Sequence, residues 1–200
     1  PGMPNVHSHA FQRAMAGLTE RRGESADSFW TWREVMYHFA HRLTPDDVRV
    51  IATQLYVEMT EAGFTHVGEF HYLHHDIDGT PYARPAEMAA QIITAAQDAG
   101  IGLTLLPVFY AHSGFNARPP NEGQRRFVSS LDFYARLVEE SRTLCAAAGF
   151  NSVGIAPHSL RAVTPDELMA ILPLAEGHPV HMHIAEQEQE VADCLAWSGK

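Results

Sequence analysis

Two short histidine motifs hold most of the chemistry this sequence can perform. One is Pro4-Asn5-Val6-His7-Ser8-His9 and the other is Val180-His181-Met182-His183-Ile184-Ala185-Glu186. Side chains two residues apart on a β-strand point to one face. His7 and His9 are therefore spaced to share a divalent metal, for which zinc–nitrogen distances run ~2.0–2.1 Å. Taken alone, His-x-His reads as two polar residues on an exposed strand or turn. The second motif changes that reading by adding a histidine pair at the same spacing, with a carboxylate three residues beyond His183. Alternation puts His181 and His183 on one face too, so periodicity does not choose between them. The residue nearer the strand's C-terminal end lies nearer the mouth of a sheet or barrel site.

The elements that must position these motifs alternate along the chain. Residues 10–15 read as a short helix or turn, and 19–27 as a polar loop. Residues 28–41 are an aromatic-rich stretch with Arg33 in its middle, where Trp30 and Trp32 read as packing. Thr44 is placed as an N-cap, with Pro45 at the first helical position and Asp46-Asp47 in the first turn. That helix closes at Gly63, and a strand over 65–70 ends at His71-Tyr72. Helix 85–99 closes at Gly100, and strand 101–110 ends near His112. Helix 129–148 closes at Gly149, and a short strand over 152–156 ends at Pro157-His158. Thr164-Pro165-Asp166-Glu167 opens a helix closed by Gly177. A strand over 179–184 then ends at Glu186, and a last helix covers about 187–197.

Helices alternating with apolar strands predict βαβ units and a parallel sheet. Polar residues fall at or just past the C-terminal strand ends, which is the catalytic face of a (β/α)8 barrel and the ligand face of an open α/β sheet. No Gly-x-Gly-x-x-Gly or Walker loop follows a strand, which disfavours nucleotide-binding versions. A barrel needs eight strands and this chain supplies five. The expected organisation is thus one domain over 1–200, about the first five units of a barrel whose remaining units lie outside this segment. Five strands alone leave two open edges, so the segment by itself is expected to aggregate or stay partly unfolded, and to lack turnover.

Composition narrows the function further. A net charge of −10 disfavours non-specific nucleic-acid binding, and an anionic substrate would need a local cluster of positive charge. No apolar run approaches the ~20 residues of a membrane span, and a cytoplasmic location is expected. Cys145 and Cys194 make no disulfide framework. Histidine is the unusual count, at thirteen against fourteen Lys plus Arg.

The order of the motifs resembles the amidohydrolase superfamily: His7-x-His9 after a first strand, His158 after a fourth, His183-x-x-Glu186 after a fifth. Within it the chain is similar to the formimidoylglutamate deiminases, through Asn5–Arg13, Trp30-Thr31-Trp32-Arg33, residues 68–75, Pro157-His158-Ser159-Leu160-Arg161 and residues 181–187. The resemblance implies one zinc per chain held by His7, His9 and His183, a further Asp ligand and a catalytic His outside this segment, and a small β-sandwich domain also outside it. It implies a proton shuttle at Glu186, substrate contacts at Gln12, Arg33, Tyr72, His158 and Arg161, and a homodimer of the full-length enzyme. His181 then lies deeper in the barrel as a hydrogen-bonded residue, and Glu188 and Glu190 are solvated helix-start acids. His66, His74, His75 and His112 read as loop or satisfied core histidines. Two-metal amidohydrolases bridge their ions with a lysine after the fourth strand. The one lysine here is Lys200, which excludes that arrangement.

The implied reaction is hydrolysis of N-formimino-L-glutamate, a dianion suited to bidentate arginine contacts, to N-formyl-L-glutamate and ammonia. Zinc lowers the pKa of bound water towards ~7, and a carboxyl must carry the water's proton to the departing nitrogen. Two other readings stay open: a mononuclear zinc deaminase acting on a purine, pterin or triazine, and a non-catalytic metal-binding barrel.

Overall fold

The structure is a computed structural model that describes residues 2–19, 29–150 and 152–199, with the side chains of 29–31 left aside. Most of the 19–27 loop, Lys200 and the Trp30 side chain lie outside the described residues. The strands form one parallel sheet in chain order: β1 (Met3–Ser8), β2 (Phe64–His71), β3 (Gly102–Phe109) and β4 (Ser152–Val153). A further piece, β5 (Ala156–Pro157), continues beside β3. Helices α1 (Phe29–Ala40), α2 (Pro45–Glu61), α3 (Glu87–Ala99), α4 (Leu131–Ala147), α5 (Pro165–Ile171) and α6 (Glu188–Ser198) lie between and after them.

Local sequence accounts for most of these boundaries. Thr44 caps α2 through a reciprocal box: its hydroxyl accepts the Asp47 N–H at 3.2 Å and the Asp47 carboxylate accepts the Thr44 N–H at 2.9 Å. Thr164 and Glu167 repeat the device at α5. The apolar Leu103, Leu105, Leu106, Val108 and Phe109 of β3 are buried, as expected of a parallel strand covered on both faces.

The fourth and fifth strand positions depart from expectation. The fourth is split around Gly154 and Ile155, and the stretch expected as a strand over 179–184 pairs only through Ile155–Val180 and Ser159–His183. Pro179 brings no N–H to a ladder, so the pairing rests on scattered bonds. The Ile155 N–H donates to the Pro179 carbonyl, the His181 N–H to Ile155 and the His183 N–H to His158, each at 3.0 Å. Gly154 permits the close passage, since a Cβ there would run into the Pro179 carbonyl.

Behind the sheet's C-terminal end, Arg126 is fully buried. Its Nε donates to the His75 carbonyl at 2.8 Å, and one terminal nitrogen donates to the carbonyls of Leu43 at 2.9 Å and of Ala40. Its own carbonyl accepts the N–H groups of His74 and His75. One guanidinium thus ties the loop after β2 to the end of α1, serving backbone groups that no ladder reaches.

Candidate active site

β1 does not deliver His7 and His9 by simple alternation. Its register with β2 slips between Asn5 and Ser8, and the Asn5 side chain accepts the displaced His7 N–H at 3.1 Å. Such bulges re-aim side chains. His9 follows in the turn into a 3-10 helix (Ala10–Met15). Its Nδ1 lies 2.9 Å from the Phe70 carbonyl. A carbonyl only accepts, so Nδ1 carries the hydrogen and Nε2 is left with a bare lone pair. Gly68 allows β1 to sit this close, because a Cβ there would lie 2.8 Å from the Val6 carbonyl oxygen.

The Nε2 atom of His7 lies 3.1 Å from that of His9 and 3.1 Å from that of His183. The alternation ambiguity is therefore resolved towards His183, while His181 stands close enough to oppose protonation of His7. Burial holds His9 down to about 3 and His183 to about 4, with neighbouring imidazoles adding to the effect. Neutral imidazoles pointing lone pairs at one spot cannot all satisfy one another, but a cation can. Three nitrogens around a tetrahedral zinc at ~2.0–2.1 Å would stand roughly 3.3 Å apart, close to the spacing seen. Among the described residues, these are the His, Cys, Asp or Glu side chains that gather into a candidate metal site.

Glu69 on β2 is a residue the sequence reading left without a role. It is buried, accepts the Ala10 N–H at 2.6 Å and the Tyr56 hydroxyl at 3.0 Å, and also bonds Ser8. It thus holds the backbone N–H that follows His9 and the Ser8 side chain that precedes it. Burial pushes its carboxyl up to about 7, against the pull of those hydrogen bonds. The available signal was a lone carboxylate inside the buried run Val67-Gly68-Glu69-Phe70.

Next to the imidazoles lies a cavity of ≈ 260 Å³ that gathers Gln12, Arg33, Tyr72, His158, Arg161 and Glu186 with His9 and His183. Gln12 donates to the Tyr72 hydroxyl at 2.8 Å. His158 lies 2.9 Å from the Ser159 hydroxyl through Nδ1; burial and the Arg161 charge hold its pKa well down. Ala185 adopts a left-handed φ of 56°, a strained turn for a residue with a Cβ, and so re-aims Glu186. Burial raises the pKa of Glu186, opposed by Arg161. Arg161 lies 4.0 Å from Glu186 and 3.8 Å from Glu190. Glu190 is accordingly not the solvated helix acid expected, but a buried counter-charge 8% exposed.

Trp32, expected as plain packing, lines the cavity with Tyr37, Tyr110 and Phe127. Four other histidines are held through one ring nitrogen each: His66 to Thr104 at 2.9 Å, His74 to Val108 at 2.9 Å, His75 to Val128 at 2.7 Å and His112 to both Glu167 oxygens at 3.0 Å. Both cysteines are free, and among the described residues no helix is long and apolar enough to cross a membrane.

Known proteins resemble this chain in sequence and in fold. Formimidoylglutamate deiminase of Pseudomonas aeruginosa is 58% identical over 100% of this chain and 44% of its own length. The crystal structure of an amidohydrolase from Brucella melitensis superposes with a TM-score of 0.96 at 62% identity, again over 100% of this chain and 44% of that one. A zinc complex of atrazine chlorohydrolase from Arthrobacter aurescens shares the fold alone, with a TM-score of 0.77 at 20% identity over 100% of this chain and 44% of that one. The chain thus spans less than half the length of these relatives. Residues 1–200 match the amidohydrolase family throughout, and the chain belongs to it.

Proposed function

We propose that this chain is part of a deiminase that hydrolyses N-formimino-L-glutamate to N-formyl-L-glutamate and ammonia. In this reading His7, His9 and His183 hold one zinc ion, and the chain forms about the first five units of the barrel, with a further Asp ligand and a catalytic His in later units. Bound there, zinc would supply Lewis acidity and an activated water. The full-length enzyme is taken to be a homodimer.

The chain's own groups perform the rest. Water adds to the formimino carbon, the C=N double bond becomes a C–NH₂ single bond, and that bond breaks once its nitrogen is protonated. Glu186 passes one proton of the attacking water to the imino nitrogen, then carries the proton of the resulting C–OH group to the amino nitrogen, so that ammonia leaves as the formyl C=O forms. Burial raises the Glu186 pKa, and a carboxyl with raised pKa is the better donor in the second half. Gln12 lies near the formimino group, while Arg33, Tyr72, His158 and Arg161 receive the carboxylates.

The observation that carries this reading is the meeting of Glu186 with Arg33 and Arg161 in one cavity beside three neutral imidazoles, in a chain 58% identical to a deiminase of that name. The aromatic wall would also suit a ring substrate, so the deciding experiment is ammonia release by the full-length protein. N-formimino-L-glutamate should be turned over far faster than guanine, adenosine or cytosine. A faster ring substrate would defeat the reading.

A further inference from the structure

Tyr110 follows β3 directly and is 3% exposed. The Ser129 N–H holds its carbonyl at 2.9 Å, and its ring stands edge-on to His158, with centroids 4.6 Å apart. The ring forms part of the cavity wall.

What surrounds its hydroxyl is one-sided. The Gln124 amide oxygen accepts the Asn121 N–H at 2.9 Å, which turns Nε2 of that amide towards Tyr110, where it donates to the hydroxyl oxygen at 2.5 Å. The other hydrogen-bond partner is the Arg161 guanidinium, which has donors and no acceptor. Both partners therefore address the oxygen. Among the described residues no hydrogen bond takes up the Tyr110 hydrogen, and the direction left to it is the cavity. A buried hydroxyl without an acceptor is costly, so the wall is built for a ligand that brings one. Burial pushes the phenol up to about 12, so the donor persists at physiological pH. With Arg161 beside it, the acceptor that suits the site is an anionic oxygen.

We propose that Tyr110 donates a hydrogen bond to one substrate carboxylate beside Arg161, making it a specificity-determining contact that Gln124 orients. The proposal rests on the dicarboxylate reading above. It divides recognition of that carboxylate between a fixed cation and a neutral donor, both held by groups behind the cavity wall.

The test uses the full-length enzyme and Tyr110→Phe. Substrates are N-formimino-L-glutamate, N-formimino-γ-aminobutyrate, which lacks the α-carboxylate, and N-formimino-L-2-aminobutyrate, which lacks the γ-carboxylate. Losing one charge-assisted hydrogen bond should lower kcat/KM for the dicarboxylate ~10–100-fold, mainly through KM. The loss should recur with one mono-acid and vanish with the other, a pattern that a general disturbance of the fold cannot produce. Should Tyr110→Phe fail to fold, Gln124→Glu serves in its place. A carboxylate at 124 keeps the Asn121 contact but accepts the phenol hydrogen and withdraws it from the cavity, so the same substrate-dependent loss is expected. Equal losses on all three substrates, or none, overturn the proposal while leaving the deiminase reading standing. A wild-type enzyme inert towards the dicarboxylate overturns that reading and the proposal together.

Discussion

Replacing Arg161 by Ala tests the dicarboxylate site most directly. Its side chain is 17% exposed and lies 4.0 Å from Glu186 and 3.8 Å from Glu190, so the substitution has two consequences. A carboxylate in the cavity loses charge-assisted hydrogen bonds worth ~1.5–3 kcal/mol each. Losing one strong bond or two weak ones removes roughly 3 kcal/mol, and ~1.4 kcal/mol is tenfold, so kcat/KM should fall at least ~10²-fold. Glu186 also loses the neighbour that draws its pKa down. Its pKa should rise, and the acid limb of the kcat/KM profile should move to higher pH, because the proton acceptor must be ionised at the start. Arg161→Lys should restore activity only in part, as an ammonium lacks the planar two-pronged contact. The assay is ammonia release against pH by the full-length enzyme, with metal content measured in parallel and expected to match wild type. Unchanged kcat/KM, or a loss explained by missing metal, would refute the clamp.

His183→Asn should abolish stoichiometric metal binding by the full-length protein, read by elemental analysis after dialysis; retained metal would exclude His183 as a ligand. Gly68→Ala sets a Cβ 2.8 Å from the Val6 carbonyl oxygen and should cost ~1–3 kcal/mol of stability, with weaker metal affinity because the displaced strand carries His7; unchanged denaturation midpoint and affinity would show that β1 can give way. Burial holds the Glu69 carboxyl up at about 7, against ~4.3 in an unfolded chain. The folded state therefore keeps a proton that the unfolded state releases between those values. Its contribution is complete below pH ~4.3 and is lost as pH rises through about 7. Glu69→Gln should remove up to roughly 3 kcal/mol of that decline, measured as urea midpoints at pH 5 and 8; parallel slopes in the two proteins would place the proton elsewhere.

The strand-and-helix order was legible because its signals are local. Thr44-Pro45 and Thr164-Pro165 mark helix starts, and buried apolar runs mark β2 and β3. The stretch over 179–184 was over-regularised, since its pairing depends on how closely Gly154 lets two backbones pass. The cavity residues could be named from the resemblance, which for Tyr72, His158 and Arg161 agrees with their places after expected strand ends; Arg33, inside α1, carries no such signal. Their mutual geometry could not, because it depends on a register slip at Asn5–Ser8 and a left-handed turn at Ala185, neither of which has a periodic signature. Glu69 and Tyr110 went unassigned because their roles depend on partners distant in the chain: Ala10 for one, Gln124 for the other.

The buried Arg126 bears on how the molecule stores charge. A chain with thirteen histidines would ordinarily take up many protons just below neutrality. Here His7, His9, His41, His71, His74, His75, His158 and His183 are all held neutral, chiefly by burial. Around His71 and His75, the permanent charge of Arg126 adds to that effect. A cation that cannot titrate thus sits where several titratable ones would otherwise form. The buried histidines thus resist protonation despite their number, and the interior group poised near neutrality, among the described residues, is the Glu69 carboxyl, at about 7.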